Sequence, residues 1–284
     1  MADQPIRIAV FGRTGAGKTS FIHHATGVSL EIGNGPRSVT KQIHRVDIPP
    51  DKVGGRSVTL IDTPGFNDTD LEDPNLFLEM VDWLAGSYRN GETLNGAIFV
   101  QGINEVRVLQ GELDGLKLFQ NMVGAEAFSQ VIVVTTMWDK VNENFGVNNE
   151  NNRASYWEGL VTRGAKLRRF YNTEDSALEI VRGCLEFPQT TLLLQRELMD
   201  RNGRVRKTSA AEFLQFSLGV KIDDIRQQIR TVGSNNRLAN AMGQMRNWLS
   251  KLKGAVIKLG ASAWVPFTIV GMIVRVWAWE MQAA

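Results

Sequence analysis

Between Gly12 and Thr19 the chain reads Gly-Arg-Thr-Gly-Ala-Gly-Lys-Thr, a spacing suited to wrapping a phosphate chain. Glycines at 12, 15 and 17 let the backbone turn with no Cβ in the way, so successive N–H groups converge on an anion at the positive end of the helix that follows. Lys18 then reaches the β- and γ-phosphates as a point charge, and the Thr19 hydroxyl is placed to ligate Mg²⁺. A glycine-rich turn that binds nothing is the plain alternative, but average composition produces this pattern in a chain of such length only about once in a hundred. The stretch Arg13, Thr14, Gly15, Ala16, Gly17, Lys18, Thr19 and Ser20 is therefore the candidate phosphate cradle.

Two further stretches complete a phosphate and metal site. Residues 57–61 are β-branched and apolar and end at Asp62-Thr63-Pro64-Gly65. A carboxylate at the end of a buried strand is where a phosphate-loop protein holds magnesium, and the Gly65 N–H can meet a γ-phosphate. Alone, the segment reads as an Asp-led turn broken by proline and glycine. Standing 43 residues after Thr19 and behind a strand, Asp62 reads as the metal carboxylate. The glycine-containing stretch 28–40 lacks periodicity and ends in Ser38-Val39-Thr40; a threonine there suits a switch whose hydroxyl and backbone reach Mg²⁺ and the γ-phosphate only when that phosphate is present. Phe66 follows Gly65, where phosphate-loop hydrolases orient the attacking water with glutamine. Phenylalanine neither donates nor accepts a hydrogen bond, so hydrolysis is expected to be slow or to rely on a group from elsewhere.

A base reader follows the apolar run 130–135. Thr136-Met137-Trp138-Asp139 offers a carboxylate, and guanine presents N1–H and an exocyclic amine for one carboxylate to accept, a pair that adenine lacks. Met137 stands where a lysine would lie along the base, so apolar packing takes its place. Asn172 follows the run 166–171, where a loop closes over the base. Thr173 or Asp175 is the expected N-cap of a helix over 176–185.

These residues need a scaffold that brings strand ends together. Strands are expected at 6–11, 41–48, 57–61, 97–100, 130–135 and 166–171, with helices continuing from the phosphate loop to Thr26 and at 71–84, 111–122, 154–161 and 176–185. The Asn-rich 142–152 reads as an exposed insertion. Alternating strands and helices with apolar strands imply an α/β, doubly wound, mostly parallel sheet.

Of the 284 residues 43% are hydrophobic, enough for one large domain of about 200 residues and an appendage. Cys184 is the single cysteine, which excludes an internal disulfide and fits a reducing compartment. The first ten residues lack a basic region followed by an apolar core, so no signal peptide is expected. Net charge is +2, but 221–275 holds nine Lys and Arg against Asp223 and Asp224, which leaves the rest at −5. That asymmetry suits an anionic partner surface or a solvated basic helix face. No nucleic acid partner is expected, because neither zinc-site spacing nor an aromatic RNA signature accompanies the charge.

Apolar residues recur at helical spacing from Ile222 to Val232 and again from Leu238 to Leu259, and Leu259 to Val274 carry no charge. The reading is a domain over 1–205, a basic amphipathic helical extension over 206–258, and an apolar segment over 259–279. That last segment either inserts in or lies on a membrane, with Lys258, Arg275 and the tryptophans at the interface, or packs as a buried helix. The protein is expected to be cytoplasmic, and membrane insertion would anchor it to the cytosolic face of a membrane by its C-terminus.

The order GRTGAGKT, SVT, DTPG, TMWD and RFYN, each at a strand end, resembles the septin-like branch of the GTPases over roughly residues 6–198. It is most similar to the immunity-associated GTPases, their plant relatives and fungal G-domain-containing proteins. The resemblance implies a Ras-like G domain with a C-terminal helical extension, GTP and GDP with Mg²⁺ as ligands, and a homodimer formed through the G domain. In that family a box between the third and fourth motifs includes a basic residue near the dimer surface; Arg107 stands in that place, a candidate to act in trans. Met137 and the lone Asn172 depart from the family pattern and bear on base specificity. Two other classes remain: a non-hydrolysing GTP-bound membrane scaffold, and a small-molecule kinase, disfavoured because no Arg-rich lid lies between the later strands.

Overall fold

The computed structural model describes residues 5–29, 43–65, 74–201, 203–214 and 216–217. The chain divides into two units, 1–71 with 76–214, and 72–75 with 215–284; the sheet lies in the first. Six strands, β1 (Ile6–Gly12), β2 (His44–Ile48), β3 (Val58–Asp62), β4 (Gly96–Gly102), β5 (Val131–Thr136) and β6 (Lys166–Arg169), pair in the order β2-β3-β1-β4-β5-β6. All neighbours run parallel except β2, which is antiparallel to β3. β4 and β5 are apolar and buried almost throughout, as central parallel strands covered on both faces must be.

Successive side chains of a strand point to opposite faces, and the sequence supplies apolar groups to both. On one face Val10, Ile98, Val100, Ile132 and Val134 pack with Phe21 and Ile22 of α1 (Lys18–Thr26) and Leu178 and Val181 of α5 (Glu174–Arg182). Phe21 meets Phe170 edge-on at 5.5 Å between centroids. On the other face Phe119 of α3 (Gln110–Val123) touches Phe11 and Phe99, with centroids 5.3 and 4.9 Å away. Further helices are α2 (Pro74–Arg89), α4 (Glu143–Val161) and α6 (Leu193–Asp200).

Because β1, β3, β4, β5 and β6 share one direction, their carboxyl ends open on one edge of the sheet, the general location of ligand crevices in open α/β sheets. The register sets Val10 beside Asp62, Gly12 beside Val100, Gly102 beside Thr136, and Thr135 beside Arg169.

Several expectations change. Residues 142–152 are not an exposed insertion: all but Asn142 belong to α4, where Asn142 is the N-cap, its side chain accepting from Phe145 N at 2.9 Å. Asn149, Glu150 and Arg153 of this helix are buried, so its polar residues face inward and leave no apolar stripe to read. The last strand stops at Arg169, two residues early, and Thr173 rather than Asp175 caps α5, accepting from Ser176 N at 3.3 Å. α6 was not expected. Thr40, Phe66 and the tail segments from 218 onward lie outside the described residues. No helix among the described residues is long and apolar enough to cross a membrane.

Candidate functional site

The loop after β1 is built around close backbone approach. Gly12, with φ +145°, sits so near β4 that a Cβ would run into the Val100 carbonyl. Gly17, with φ +95°, leads into α1, and no side chain caps that helix. Its first-turn N–H groups carry the positive end of the helix dipole, and the N-cap supplies no side chain to cover them. The buried Lys18 ammonium bends back across the loop, donating to the carbonyls of Gly12 at 3.0 Å and Arg13 at 3.1 Å. Thr136, at the end of β5, donates to the Ala16 carbonyl at 2.6 Å and so ties the loop to the segment containing Asp139.

On the β3 side, Thr63 fastens the Asp62-to-Gly65 turn to β1 by donating from its hydroxyl to the Val10 carbonyl at 2.8 Å. Gly65 lies directly against Thr14: a Cβ there would sit 2.5 Å from the Thr14 nitrogen. Asp62 is 1% exposed, and its Oδ1 has no hydrogen-bond partner among the described residues. Burial pushes its carboxyl above the ordinary range, and the charges of Lys18 and His44 pull back against that. A buried carboxylate oxygen without a donor beside a phosphate loop is suited to a cation or its water. Among the described residues no three His, Cys, Asp or Glu side chains form a cage of their own. Asp62 and Thr19 would therefore hold Mg²⁺ in company with phosphate oxygens.

The third arm carries Asp139. Met137 and Asn172 are the only described non-glycine residues in the left-handed region, at φ +68° and +58°, and they bracket Asp139 in space. Asn172 Nδ2 approaches Asp139 Oδ2 at 3.4 Å, and Ser20 on α1 donates to Asn172 Oδ1 at 2.7 Å. Beneath them Trp138 is wedged in place: its indole donates to Thr135 Oγ1 at 3.1 Å, and the Arg169 guanidinium lies 4.3 Å from the ring centre. Glu150 of α4 grips Arg169 through Nε at 3.0 Å and Nη2 at 2.5 Å and accepts from Thr135 at 2.9 Å. The exposed Asp139 thus stands on a rigid pedestal.

Beyond β4, the segment carrying Arg107 borders a cavity of about 130 Å³ lined by Arg13, Thr14, Gly15, Gly102, Asn104 and Glu105. Arg13 pairs with Glu112 at 3.2 Å and lies 3.7 Å from Glu105. From below, α4 holds this backbone: Asn149 donates to the Ile103 carbonyl at 2.8 Å and buried Arg153 to the Glu105 carbonyl at 2.6 Å. Arg107 itself is exposed, between Val106, 62% exposed, and Leu109, 38% exposed.

Of the residues singled out in the sequence, the loop 13–20, Asp62, Gly65, Asp139 and Asn172 gather at one edge of the sheet. Arg107 lies on the neighbouring segment. Thr136, Trp138, Glu150 and Arg169 support the site and carry no motif signal of their own, except that Thr136 opens the segment containing Asp139.

A sequence model of a 50S ribosome-binding GTPase matches residues 7–107. No curated protein sequence matches the chain. Among solved structures, Toc33 from Arabidopsis thaliana in complex with GDP and Mg²⁺ is 14% identical, with the likeness covering 66% of this chain and 88% of that one at a TM-score of 0.51. A second comes from work on chloroplast translocon components atToc33 and psToc159, for which dimerization is important for GTPase activity. It is 15% identical over 63% of this chain and 81% of that one, at a TM-score of 0.50. At such identities the likeness establishes architecture: the fold is that of a Ras-like phosphate-loop G domain with a mostly parallel six-stranded sheet.

Proposed function

We propose that this chain binds GTP and GDP with Mg²⁺ and hydrolyses GTP slowly, serving as a nucleotide-dependent switch or scaffold at a membrane. The observation that carries the reading is Asp62, a buried carboxylate whose Oδ1 has no partner among the described residues, at the end of the strand beside the phosphate loop. Lys18 and the amides opening α1 bind the β- and γ-phosphates. Thr19, Asp62 and, on sequence grounds, Thr40 hold Mg²⁺, which when bound neutralises charge on the phosphate oxygens. Asp139 accepts from the two guanine donors, and Gly65 brings its N–H toward the γ-phosphate end. Phe66 gives the attacking water no hydrogen bond, and slow turnover follows.

A second copy is the proposed source of help. Exposed Arg107, flanked by exposed Val106 and Leu109, suits a surface that meets another G domain, and dimerization matters for GTPase activity in the translocon components named above. The uncharged stretch from Leu259 to Val274 with basic flanks supports attachment to the cytosolic face of a membrane, testable by liposome flotation of the full chain.

The deciding experiment is calorimetry of the purified chain with GDP and ADP, with and without Mg²⁺, beside Lys18→Ala. Tight Mg²⁺-dependent GDP binding, weak ADP binding and loss of both in Lys18→Ala are expected. Retained binding in that variant, or preference for ADP, refutes the reading. Phe66 also favours a scaffold that holds GTP without cleaving it; single-turnover phosphate release separates the two.

A further inference from the structure

The Ser20 hydroxyl has one hydrogen to give, and it gives it to the side chain of a residue 152 positions away. Ser20 follows Thr19 on the first turn of α1, at the phosphate end of the site. Its acceptor, Asn172 Oδ1, lies 2.7 Å off, and the other end of that carboxamide, Nδ2, faces Asp139 Oδ2 at 3.4 Å. A carboxamide with its oxygen held by a hydroxyl cannot turn over without losing that bond, so its amine is committed to the carboxylate side.

The backbone around Asn172 fixes the rest. Its left-handed φ of +58° is one that asparagine tolerates. Tyr171 N donates to Ser176 Oγ at 3.2 Å, and the Thr173 hydroxyl donates to the same oxygen at 2.9 Å. With the chain pinned on both sides, the orientation of the carboxamide is left to Ser20.

We propose that Ser20 is a positioning residue for base selection: through Asn172 it sets the plane of the Asp139 carboxylate, so that the side chain meets both guanine donors together. This rests on the guanine reading above and extends it to the residue that enforces it. The chemistry predicts where the effect appears. Guanine offers N1–H and a 2-amino group, so a fixed carboxylate plane is rewarded twice. Hypoxanthine offers N1–H alone, and a carboxylate free to rotate can meet one donor nearly as well as a fixed one. A Ser20 contact to phosphate would act equally on both bases.

The test is calorimetric binding of Mg²⁺ with GDP and with inosine diphosphate to the full chain, its Ser20→Ala variant and its Ser20→Thr variant. Ser20→Ala is expected to reduce the GDP-over-inosine-diphosphate preference about three- to tenfold, the range of one hydrogen bond, and Ser20→Thr, which keeps the hydroxyl, to restore it. If Ser20→Ala weakens both nucleotides by the same factor, or changes neither, the relay is refuted while the guanine reading stands. If the unaltered chain itself shows no preference for GDP over ADP, the guanine reading fails first and the relay with it.

Discussion

Replacing Asp62 with asparagine keeps the shape of the side chain and removes its charge. In the nucleotide-free protein that charge is a burden: a buried polar atom without a partner costs about 1–3 kcal/mol, and the attraction of Lys18 and His44 offsets only part of it, since burial still lifts the carboxyl above its ordinary range. Asp62→Asn is therefore expected to stabilise the nucleotide-free domain by about 1 kcal/mol, or about 2–4 °C in Tm for a domain of this size. With Mg²⁺ and GDP the order inverts. At a hundred times Kd, bound ligand adds about 2.7 kcal/mol to the unaltered protein, and the variant loses the Mg²⁺-dependent share.

The pH dependence has a definite sign. A carboxyl whose folded pKa is raised contributes stability below its ordinary value of 3.8 and loses it as pH rises through the folded value. The advantage of asparagine thus opens between those two points and closes again in acid. Differential scanning calorimetry from pH 4 to pH 8, with and without Mg²⁺ and GDP, reads both effects. A nucleotide-free variant less stable than the unaltered protein at pH 7, or one that keeps the full Mg²⁺ increment, would refute the reasoning.

Gly65→Ala places a methyl 2.5 Å from the Thr14 nitrogen; overpacking of about 1–3 kcal/mol and a marked loss of GDP affinity are expected, by thermal melt and calorimetry. Glu150→Gln weakens the grip on Arg169, which is about one-third exposed, so solvent screening limits the cost to about 1–2 kcal/mol; a Tm drop of a few degrees with modestly weaker GDP binding is the expected result. Arg107→Ala should lower GTP turnover at high protein concentration and leave it unchanged at high dilution. An equal loss at both concentrations would exclude a role in trans.

Most of the scaffold is legible because parallel strands are buried on both faces and so read as apolar runs ending in residues that can bind something. The phosphate loop, Asp62 and Asp139 all announce themselves that way. The direction of β2 is not written in its residues, since an edge strand of five alternating positions pairs equally well either way. The second half of α4 is legible as a helix, whereas its first half escapes for a different reason. Asn149 and Arg153 face inward to hold backbone carbonyls, so burial there is polar and the usual helical stripe is missing. Ser20 and Asn172 are each marked in the sequence, but their contact is not, because 152 positions separate them until the fold brings the two together.

The antiparallel edge strand has a mechanical consequence. His44, the first residue of β2, is the cross-strand partner of Asp62, and among the described strands β2 pairs with β3 alone. Tension at the start of β2 thus enters the sheet directly beside Asp62, with no second described strand to share the load. A pull on that one strand would shift the carboxylate proposed to hold Mg²⁺ before it reached β1 and the strands beyond.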